Sequence, residues 1–508
     1  MLGQLLDRWK ANTHVTALTA GDDNYSYADL TEMTNIIANN LYLNGIRKNS
    51  HIAVFMNNRP ELIWIYFAAL KLGSVIIPVN YRYKADELNY VLEDSEATLL
   101  ISEGSKEEYI TTLHKRGQLP CRVFSITNNE NNIYKNFSRL LDRKTTPHPE
   151  QSIKADDLAM ILYTSGSTAN PKGVMHTHRS IIAAATNLSH TISRNSTCVN
   201  GITLPICHIA GLVGQVISTI LVGGKIVLFP KFDARVLLNA ISQHHLTHLQ
   251  MVPVNLVEFV EYASHQENEF RSLRVVMVGG DKVPELLQER FYQLTHCYIT
   301  EVMGMTESFS YLINLSHDKS KLGSAGSPAK GALVEISDDH QNVVTNNYVN
   351  GEIRIKSDAN MIGYWKKTPE TLQTLYDGYV YTGDLAYHDQ DGFFWFVGRI
   401  KQLIIRGGSN IAPQEVESVL AGHPNVYEVC VMGVPDEKWN HSICACIVLR
   451  DPKSPISLKG IQFFCKDKLA DYKIPEKLVI LSELPHNATG KIDRNKVVAL
   501  ASHHVKPC

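Results

Sequence analysis

The stretch Tyr163–Val174 carries side chains suited to binding phosphate. It follows an apolar run, Leu158–Leu162, which predicts a buried strand. Four hydroxyls then fall within five positions: Thr164, Ser165, Ser167 and Thr168. Gly166 lets the backbone turn where a Cβ would clash, and Lys172 adds a positive charge. Hydroxyls and amide N–H groups directed at one point suit a polyphosphate, although the G-x-x-x-x-G-K-[ST] spacing is absent. A Ser/Thr/Gly surface turn with nothing bound is the alternative.

Alternating strand and helix patterns surround this stretch and predict an α/β fold. Strands are expected at 51–56, 74–79 and 97–101, with helices at 60–72 and 85–93 between them. Such alternation favours parallel β-α-β units with helices on both faces. Farther along, the pattern predicts a helix at 179–189, a strand ending at Leu204–His208, further strands at 225–229, 248–252 and 274–278, and a β-rich subdomain around Asp338–Ile355.

The chain length and a change of pattern near Gly398 predict two domains. At 508 residues the chain exceeds what one hydrophobic core usually holds. We expect a large N-terminal domain of parallel-rich sheets (1–398), a hinge (399–402) and a small α+β C-terminal domain (403–508). The net charge of −2 argues against a nucleic-acid partner.

Cysteine usage and hydropathy predict a cytoplasmic protein with no transmembrane segment. The nine cysteines show no C-x-x-C pair or Cys/His cluster, which argues against a zinc site or a disulfide framework. Cys444 and Cys446 are expected to pack in a core. The apolar run Leu62–Val79 approaches membrane-spanning length, but Gly73 and a β-branched run favour a helix followed by a buried strand.

Three charged residues in the second half of the chain have side chains that could bind a nucleotide or its metal ion. Glu307 lies on a predicted loop after a strand-like run, Tyr298–Val302, where a carboxylate is well placed for Mg²⁺, which prefers oxygen ligands. A solvated glutamate at a helix start is the alternative. Asp384 can accept hydrogen bonds from vicinal hydroxyls, and Arg399 offers five donors in a fixed fork. Each of these two could also be an ordinary surface charge.

Taken together, these motifs resemble the adenylate-forming superfamily, which includes acyl-CoA synthetases, luciferases and the adenylation domains of peptide synthetases. The pattern is closest to fatty-acyl- and aryl-CoA ligases and covers Ser26–Val498. Tyr163–Val174 resembles its phosphate loop, with Ala169 where the family has glycine. Met303–Glu307 resembles Tyr-Gly-x-Thr-Glu, with Met303 in the aromatic position. The resemblance implies ATP and Mg²⁺ as cofactors. The implied nucleotide-binding residues are Thr164, Ser165, Gly166, Ser167, Thr168, Lys172, Gly280, Asp281, Met303, Gly304, Met305, Thr306, Glu307, Asp384 and Arg399.

The C-terminal segments also resemble superfamily motifs. The resemblance implies a mobile C-terminal domain that turns about Lys401 and presents Lys491 to the carboxylate and the α-phosphate. It further implies that the loop containing Gly407 and Gly408 lines a pantetheine tunnel, with Trp439 near CoA. The alternatives are a solvated lysine, a tight turn before a helix, and a core tryptophan, respectively.

The implied acyl pocket consists mainly of apolar residues and glycines, which favours an apolar carboxylic acid. Its members are His208, Ile209, Gly211, Gly279, Gly280, Gly304 and Met305. No aspartate stands near the His208 segment to pair with an ammonium, so amino-acid substrates are disfavoured. His208 could also be a hydrogen-bonded core histidine. The expected activity is AMP-forming ligation of a fatty or aromatic acid to CoA. The alternatives are an acyl-AMP ligase loading the phosphopantetheine of a carrier protein and a catalytically weakened nucleotide- or acyl-binding homologue. A homodimer is compatible with each.

Overall fold

The structure is a computed structural model that describes residues 1–11, 14–126, 133–143, 146–164, 171–266, 269–407, 409–436, 438–486 and 492–504. Several residues singled out above lie outside the described residues: Ser165, Gly166, Ser167, Thr168, Ala169, Gly408 and Lys491.

The α-helices of the described chain are, in order, α1 (Tyr27–Leu43), α2 (Pro60–Lys71), α3 (Ala85–Asp94), α4 (Glu107–Lys115), α5 (His178–Thr191), α6 (Ile209–Gly211), α7 (Ser218–Leu221), α8 (Ala234–His244), α9 (Pro253–Ala263), α10 (Glu285–Thr295), α11 (Thr368–Thr374), α12 (Pro413–Ala421), α13 (Leu458–Cys465) and α14 (Arg494–His504). A π-helical segment, Leu212–Ile217, joins α6 to α7.

The strands are β1 (Thr16–Ala20), β2 (Asp23–Ser26), β3 (His51–Phe55), β4 (Val75–Pro78), β5 (Leu99–Glu103), β6 (Arg122–Ile126), β7 (Lys135–Asn136), β8 (Leu158–Thr164), β9 (Lys172–Thr177), β10 (Val199–Ile202), β11 (Lys225–Leu228), β12 (His248–Met251), β13 (Val275–Gly279), β14 (Ile299–Met305), β15 (Phe309–Asn314), β16 (Ser327–Pro328), β17 (Ala332–Ser337), β18 (Gly351–Ser357), β19 (Gly363–Tyr364), β20 (Leu375–Tyr376), β21 (Tyr379–His388), β22 (Phe394–Arg399), β23 (Ile404–Arg406), β24 (Ser409–Ile411), β25 (Val426–Asp436), β26 (Asn440–Leu449) and β27 (Lys477–Leu481).

Two large sheets organise the N-terminal part of the chain. One has the strand order β19-β9-β8-β4-β3-β5-β6-β7 and the other β16-β15-β14-β13-β12-β10-β11-β1-β2. Their central pairings, such as β3 with β4 and β12 with β13, are parallel, as crossover helices require. The predicted α/β class is therefore confirmed. The apolar run Leu62–Val79 forms α2 and β4, the predicted helix and strand, and no described helix combines the length and apolarity needed to cross a bilayer.

The chain divides into two compact units. The first unit contains residues 1–334 and 355–381, and the second contains 335–354 and 382–508. Within the second unit, β25, β26 and β27 form a sheet, and Cys444 and Cys446 are buried in its core as expected. The main part of the second unit begins at Thr382, before the expected hinge at 399–402. The expected domain limits stay predictions. The hinge also stays a prediction, because a hinge is defined by a motion.

The structure differs from the sequence-based expectation at two places near the candidate site. First, β10 ends at Ile202, so Leu204–His208 is not the end of a strand. Pro205 explains this, because proline cannot donate to a strand ladder. Second, Met303–Met305 continue β14, and the loop begins only at Thr306. A bulge between Met303 and Gly304 lets this strand continue beside β15.

Candidate active site

The antiparallel strands β8 and β9 hold the two ends of the phosphate-loop stretch, and we call this pair the phosphate hairpin. Strands β8 and β9 pair, and Thr164 lies opposite Lys172. Tyr163 donates its hydroxyl to Asp94 Oδ2 at 2.6 Å, and Tyr90 donates to the carbonyl of Pro171 at 3.1 Å. Both bonds tie the hairpin to α3. Thr164 and Lys172 are thus fixed on either side of residues 165–170, which lie outside the described chain.

Glu307 is buried in the turn between β14 and β15 and contacts the hairpin through a tyrosine. The hydroxyl of Tyr364 donates to Glu307 Oε1 at 2.7 Å. Burial, followed by the charge of Glu307, raises the pKa of Tyr364, so the hydroxyl stays protonated as a donor. Lys172 Nζ lies 4.1 Å from the centre of the same ring, within range of a cation–π contact. The residue predicted to bind metal and the lysine of the phosphate hairpin therefore meet at Tyr364.

His176 links the same turn to the hairpin through a second contact. It lies on β9, is 1% exposed, and its Nε2 lies 2.8 Å from the carbonyl oxygen of Thr306. Because a carbonyl only accepts, Nε2 carries the hydrogen and donates. Burial lowers the pKa of His176 to about 4, so the ring is neutral near pH 7. The imidazole of His176 therefore connects the phosphate hairpin with the turn between β14 and β15, which contains Glu307.

One backbone hydrogen bond and one side-chain hydrogen bond also hold this turn. The N–H of Met361 donates to the carbonyl of Glu307 at 2.7 Å, and Ser308 Oγ donates to Asn360 Oδ1 at 2.6 Å. Immediately afterwards, β19 pairs with β9, placing Tyr364 opposite Val174. The segment 360–364 therefore joins the turn to the hairpin, and it orients Tyr364 between Lys172 and Glu307.

The predicted acyl-pocket residues occupy the ends of neighbouring elements in the first unit. His208 precedes α6, which contains Ile209 and Gly211. A Cβ at Gly211 would lie 2.4 Å from the carbonyl oxygen of Pro205, so only glycine allows this packing. Gly279 ends β13, next to β14. A Cβ there would lie 2.3 Å from the carbonyl oxygen of Val302.

The remaining predicted residues of the first unit are at least partly accessible. Gly280 and Gly304 are exposed, and Met303 and Met305 are half-buried. Asp281 is exposed, and its Oδ1 accepts from the N–H of Lys282 at 2.8 Å. That these residues bind a nucleotide or line the acyl pocket stays a prediction.

In the second unit, Asp384 and Arg399 form an ion pair. They are direct partners on the antiparallel strands β21 and β22, and Arg399 Nε lies 3.0 Å from Asp384 Oδ1. The carboxylate of Asp384 is buried, whereas Arg399 is exposed. The two residues stand fifteen positions apart in the sequence, and the hairpin brings them together.

Also in the second unit, the structure brings together Gly407 and Trp439, both predicted to lie near CoA. Strands β23 and β24 pair with Arg406 opposite Ser409, and Gly407 directly follows β23. Gly407 has φ of +55° and donates its N–H to the carbonyl of Trp439 at 2.9 Å. Trp439 is 40% exposed, so it is not a core residue. Lys401 lies exposed in the short 3₁₀ segment Ile400–Gln402.

Comparison with known proteins decides the family. Residues 6–365 match the AMP-binding enzyme family, and residues 415–491 match the AMP-binding enzyme C-terminal domain. The chain belongs to the AMP-binding enzyme family. The predicted membership of the adenylate-forming superfamily is thereby confirmed.

Several relatives of this AMP-binding enzyme have names that describe CoA ligation. The chain is 32% identical to long-chain-fatty-acid–CoA ligase FadD13 of Mycobacterium tuberculosis, covering 93% of this chain and 92% of the relative. It is 31% identical to feruloyl-CoA synthase of an Amycolatopsis species, covering 96% of each. The structure of o-succinylbenzoate CoA synthetase from Bacillus subtilis, in complex with the acyl-adenylate intermediate OSB-AMP, matches with a TM-score of 0.86 at 29% identity. This match covers 97% of each chain.

The donor set of this AMP-binding enzyme fits a magnesium ion that is bound mainly through phosphates. Within the described residues no group of three or more His, Cys, Asp or Glu side chains could form a protein cage for a metal. Mg²⁺ commonly takes one or two protein carboxylates and completes its shell with water and substrate phosphates. Glu307 can supply that carboxylate, because one hydrogen bond from Tyr364 leaves most of its acceptor sites available.

Proposed function

We propose that this protein is an ATP-dependent, AMP-forming acid–thiol ligase that activates an apolar fatty or aromatic carboxylate and transfers the acyl group to CoA. The observation that carries the proposal is the assembly of Lys172, Tyr364, Glu307 and His176 around the ends of the phosphate hairpin. It brings a cation and a carboxylate together at the ends of a stretch whose sequence is rich in hydroxyls, as MgATP requires. The ligase names of the relatives support the same reaction class.

The first half-reaction joins two anions, so the site must neutralise charge and align the attack. A carboxylate oxygen attacks the α-phosphorus of ATP, the bond from that phosphorus to the bridging oxygen breaks, and pyrophosphate leaves. We assign the departing pyrophosphate to the hairpin and Lys172, and the carboxylate and α-phosphate oxygens to Lys491. Glu307 would hold Mg²⁺, which would offset phosphate charge when bound. Tyr364 and His176 position Glu307 through its carboxylate and through the preceding carbonyl, respectively.

The second half-reaction transfers the acyl group to sulfur. A thiolate attacks the carbonyl carbon of the mixed anhydride, and AMP leaves with the electrons of the C–O bond. We assign the path of the thiol to the turn at Gly407 and Gly408 and to Trp439, with Lys401 as the pivot between the two steps. Asp384 and Arg399 are assigned to the ribose hydroxyls. The family resemblance implies that the C-terminal domain turns between the two half-reactions. Domain movements of this kind often limit turnover.

Pyrophosphate release tests the proposal. Purified protein is mixed with ATP, Mg²⁺ and a panel of fatty and aromatic acids, and pyrophosphate is measured with and without CoA. Acid-dependent release, with an acyl-CoA product of the expected mass, is the predicted result. Release without any thioester to CoA, but with transfer to a holo-carrier protein, would favour the carrier-loading reaction. No acid-dependent release across the panel would leave only a nucleotide- or acyl-binding role. A cytoplasmic location remains part of the proposal.

A further inference from the structure

The C-terminal end of α3 carries a carboxylate that the helix itself does not favour. Asp94 is the last residue of α3, where the helix dipole disfavours a negative charge. Its Oδ2 accepts a hydrogen bond from the hydroxyl of Tyr163, on β8, at 2.6 Å. Burial, followed by the bond to Asp94, raises the pKa of Tyr163, so this hydroxyl stays protonated as the donor. Asp94 therefore serves a contact with the phosphate hairpin rather than the stability of its own helix.

A glycine on the partner strand makes room for this contact. Tyr163 lies opposite Gly173 on β9, and a Cβ on Gly173 would lie 3.1 Å from Cζ and 3.3 Å from the hydroxyl oxygen of Tyr163. The tyrosine ring therefore lies against the backbone of β9. Tyr90, one helical turn before Asp94, donates to the carbonyl of Pro171 at 3.1 Å and meets Tyr163 edge-on, with ring centres 6.5 Å apart. The end of α3 thus contacts both sides of the hairpin.

Trp365 closes a ring of contacts through the same residues. Its backbone N–H donates to the carbonyl of Gly173 at 2.7 Å, and its indole N–H donates to the carbonyl of Asp94 at 2.9 Å. Asp94 therefore contacts Tyr163 through its side chain and Trp365 through its backbone, and both partners contact Gly173. Trp365 directly follows Tyr364, so this ring of contacts ends beside the residue that orients the predicted metal ligand.

The contact with Asp94 lies on the face of the hairpin opposite the predicted phosphate-binding side chains. Side chains alternate along a strand, so Tyr163 and Thr164 point to opposite faces. Thr164 and Lys172 are cross-strand partners and therefore share the second face. Asp94 can thus hold the backbone of the hairpin from behind, and its influence on a phosphate passes through Tyr163.

We propose that Asp94 is a positioning residue for the β- and γ-phosphates of ATP. Its bond to Tyr163 fixes where the hairpin presents Thr164 and Lys172. The inference rests on the proposed function, because it takes the polyphosphate of ATP as the ligand of the hairpin. The charge of Asp94 alone has the opposite effect, since a carboxylate near the site repels phosphate. Positioning and simple electrostatics therefore predict changes of opposite sign when the carboxylate is removed.

Calorimetric titration with MgATP and with AMP, in the absence of acid and CoA, tests the proposal. AMP lacks the β- and γ-phosphates, so its affinity reports the rest of the site. We expect Asp94→Ala to bind MgATP roughly 10-fold more weakly, near the lower end of what a hydrogen bond to a charged group contributes, and to bind AMP as wild type does. Asp94→Asn keeps an acceptor for Tyr163 and should restore most of the affinity. The control Asp86→Ala removes an exposed carboxylate from the first turn of the same helix and should change neither affinity.

A second variant tests the same bond from the other side. Tyr163→Phe removes the donor but keeps the ring over Gly173. It should reproduce the selective loss of MgATP affinity, and the double variant with Asp94→Ala should lose no more than either single variant. Tyr163→Phe alone carries the test if Asp94→Ala does not fold.

The outcomes separate this proposal from the proposed reaction. Unchanged or tighter binding of MgATP by the variants, or an equal loss of MgATP and AMP affinity, would overturn the positioning role of Asp94. A wild-type protein that binds MgATP but releases no pyrophosphate with any acid would instead count against the ligase reaction alone.

Discussion

The buried His176 makes a specific prediction about acid stability. Its pKa is about 4 in the folded protein, below the ordinary value of 6.5. Because the folded value is lowered, the unfolded chain binds the proton more tightly. The contribution to stability is therefore fully present above pH 6.5 and is lost as the pH falls toward 4. Between pH 7.5 and pH 5, the lost contribution amounts to about 2 kcal/mol.

Replacing His176 by glutamine isolates this effect. Glutamine can keep an N–H directed at the carbonyl of Thr306, but it does not titrate. We expect His176→Gln to lose about 2 kcal/mol less than wild type between pH 7.5 and pH 5. Urea unfolding followed by tryptophan fluorescence at several pH values measures this difference. Other buried histidines, such as His178, titrate in both proteins and cancel in the comparison.

A histidine on α5, the helix that follows β9, serves as the control for this test. The exposed His190, changed to glutamine, should reproduce the wild-type pH profile, since it lies at the surface end of α5. Identical pH profiles for wild type and His176→Gln would refute the reasoning. They would mean that the imidazole is already protonated in the fold, or that the unfolded state does not favour its protonation.

Three further substitutions test the assigned roles. Tyr364→Phe removes a hydrogen bond to a charged group, worth about 1.5–3 kcal/mol, so kcat/KM for MgATP should fall roughly 10- to 150-fold; an unchanged value would remove Tyr364 from the site. Lys491→Ala should slow adenylate formation by about 10²–10³-fold, the usual cost of one transition-state donor, but spare thioester formation from supplied acyl-AMP; equal loss in both assays would contradict its role. Gly408→Leu should slow only the CoA step, by roughly 5- to 150-fold if overpacking costs 1–3 kcal/mol; normal rates in both halves would exclude the tunnel assignment.

Local patterns in the sequence were sufficient for the fold class. Hydrophobic periodicity identified α2 and β4. These features depend on neighbours along the chain, which a single sequence displays directly. The sequence analysis singled out Asp384 and Arg399, whereas their ion pair became evident only from the pairing of β21 with β22.

His176 and Tyr364 were missed because their partners lie far away along the chain. His176 bonds to a residue 130 positions later, and Tyr364 bonds to one 57 positions earlier. Neither stands in a motif, and each resembles an ordinary side chain of an apolar strand. A signal was present in His176, a polar residue inside a buried strand pattern, since buried polar groups need partners. The sequence could not name that partner, because sheet topology decides it.

The division of residues between the two units bears on how one chain could perform two reactions. Thr164, Lys172, Glu307 and the predicted acyl-pocket residues all belong to the first unit. There, His176 and Tyr364 tie the Glu307 turn to the phosphate hairpin across two sheets. This part needs no rearrangement between the two half-reactions, because the same acyl-adenylate is made and then consumed. Lys491, Gly407, Gly408 and Trp439 belong to the second unit. The residue assigned to the attacking carboxylate and those assigned to the thiol therefore belong to the same unit, which also contains Lys401, so a single movement could exchange them. A measured rate for both half-reactions that is insensitive to rigidifying substitution at Lys401, such as Lys401→Pro, would argue that no such exchange takes place.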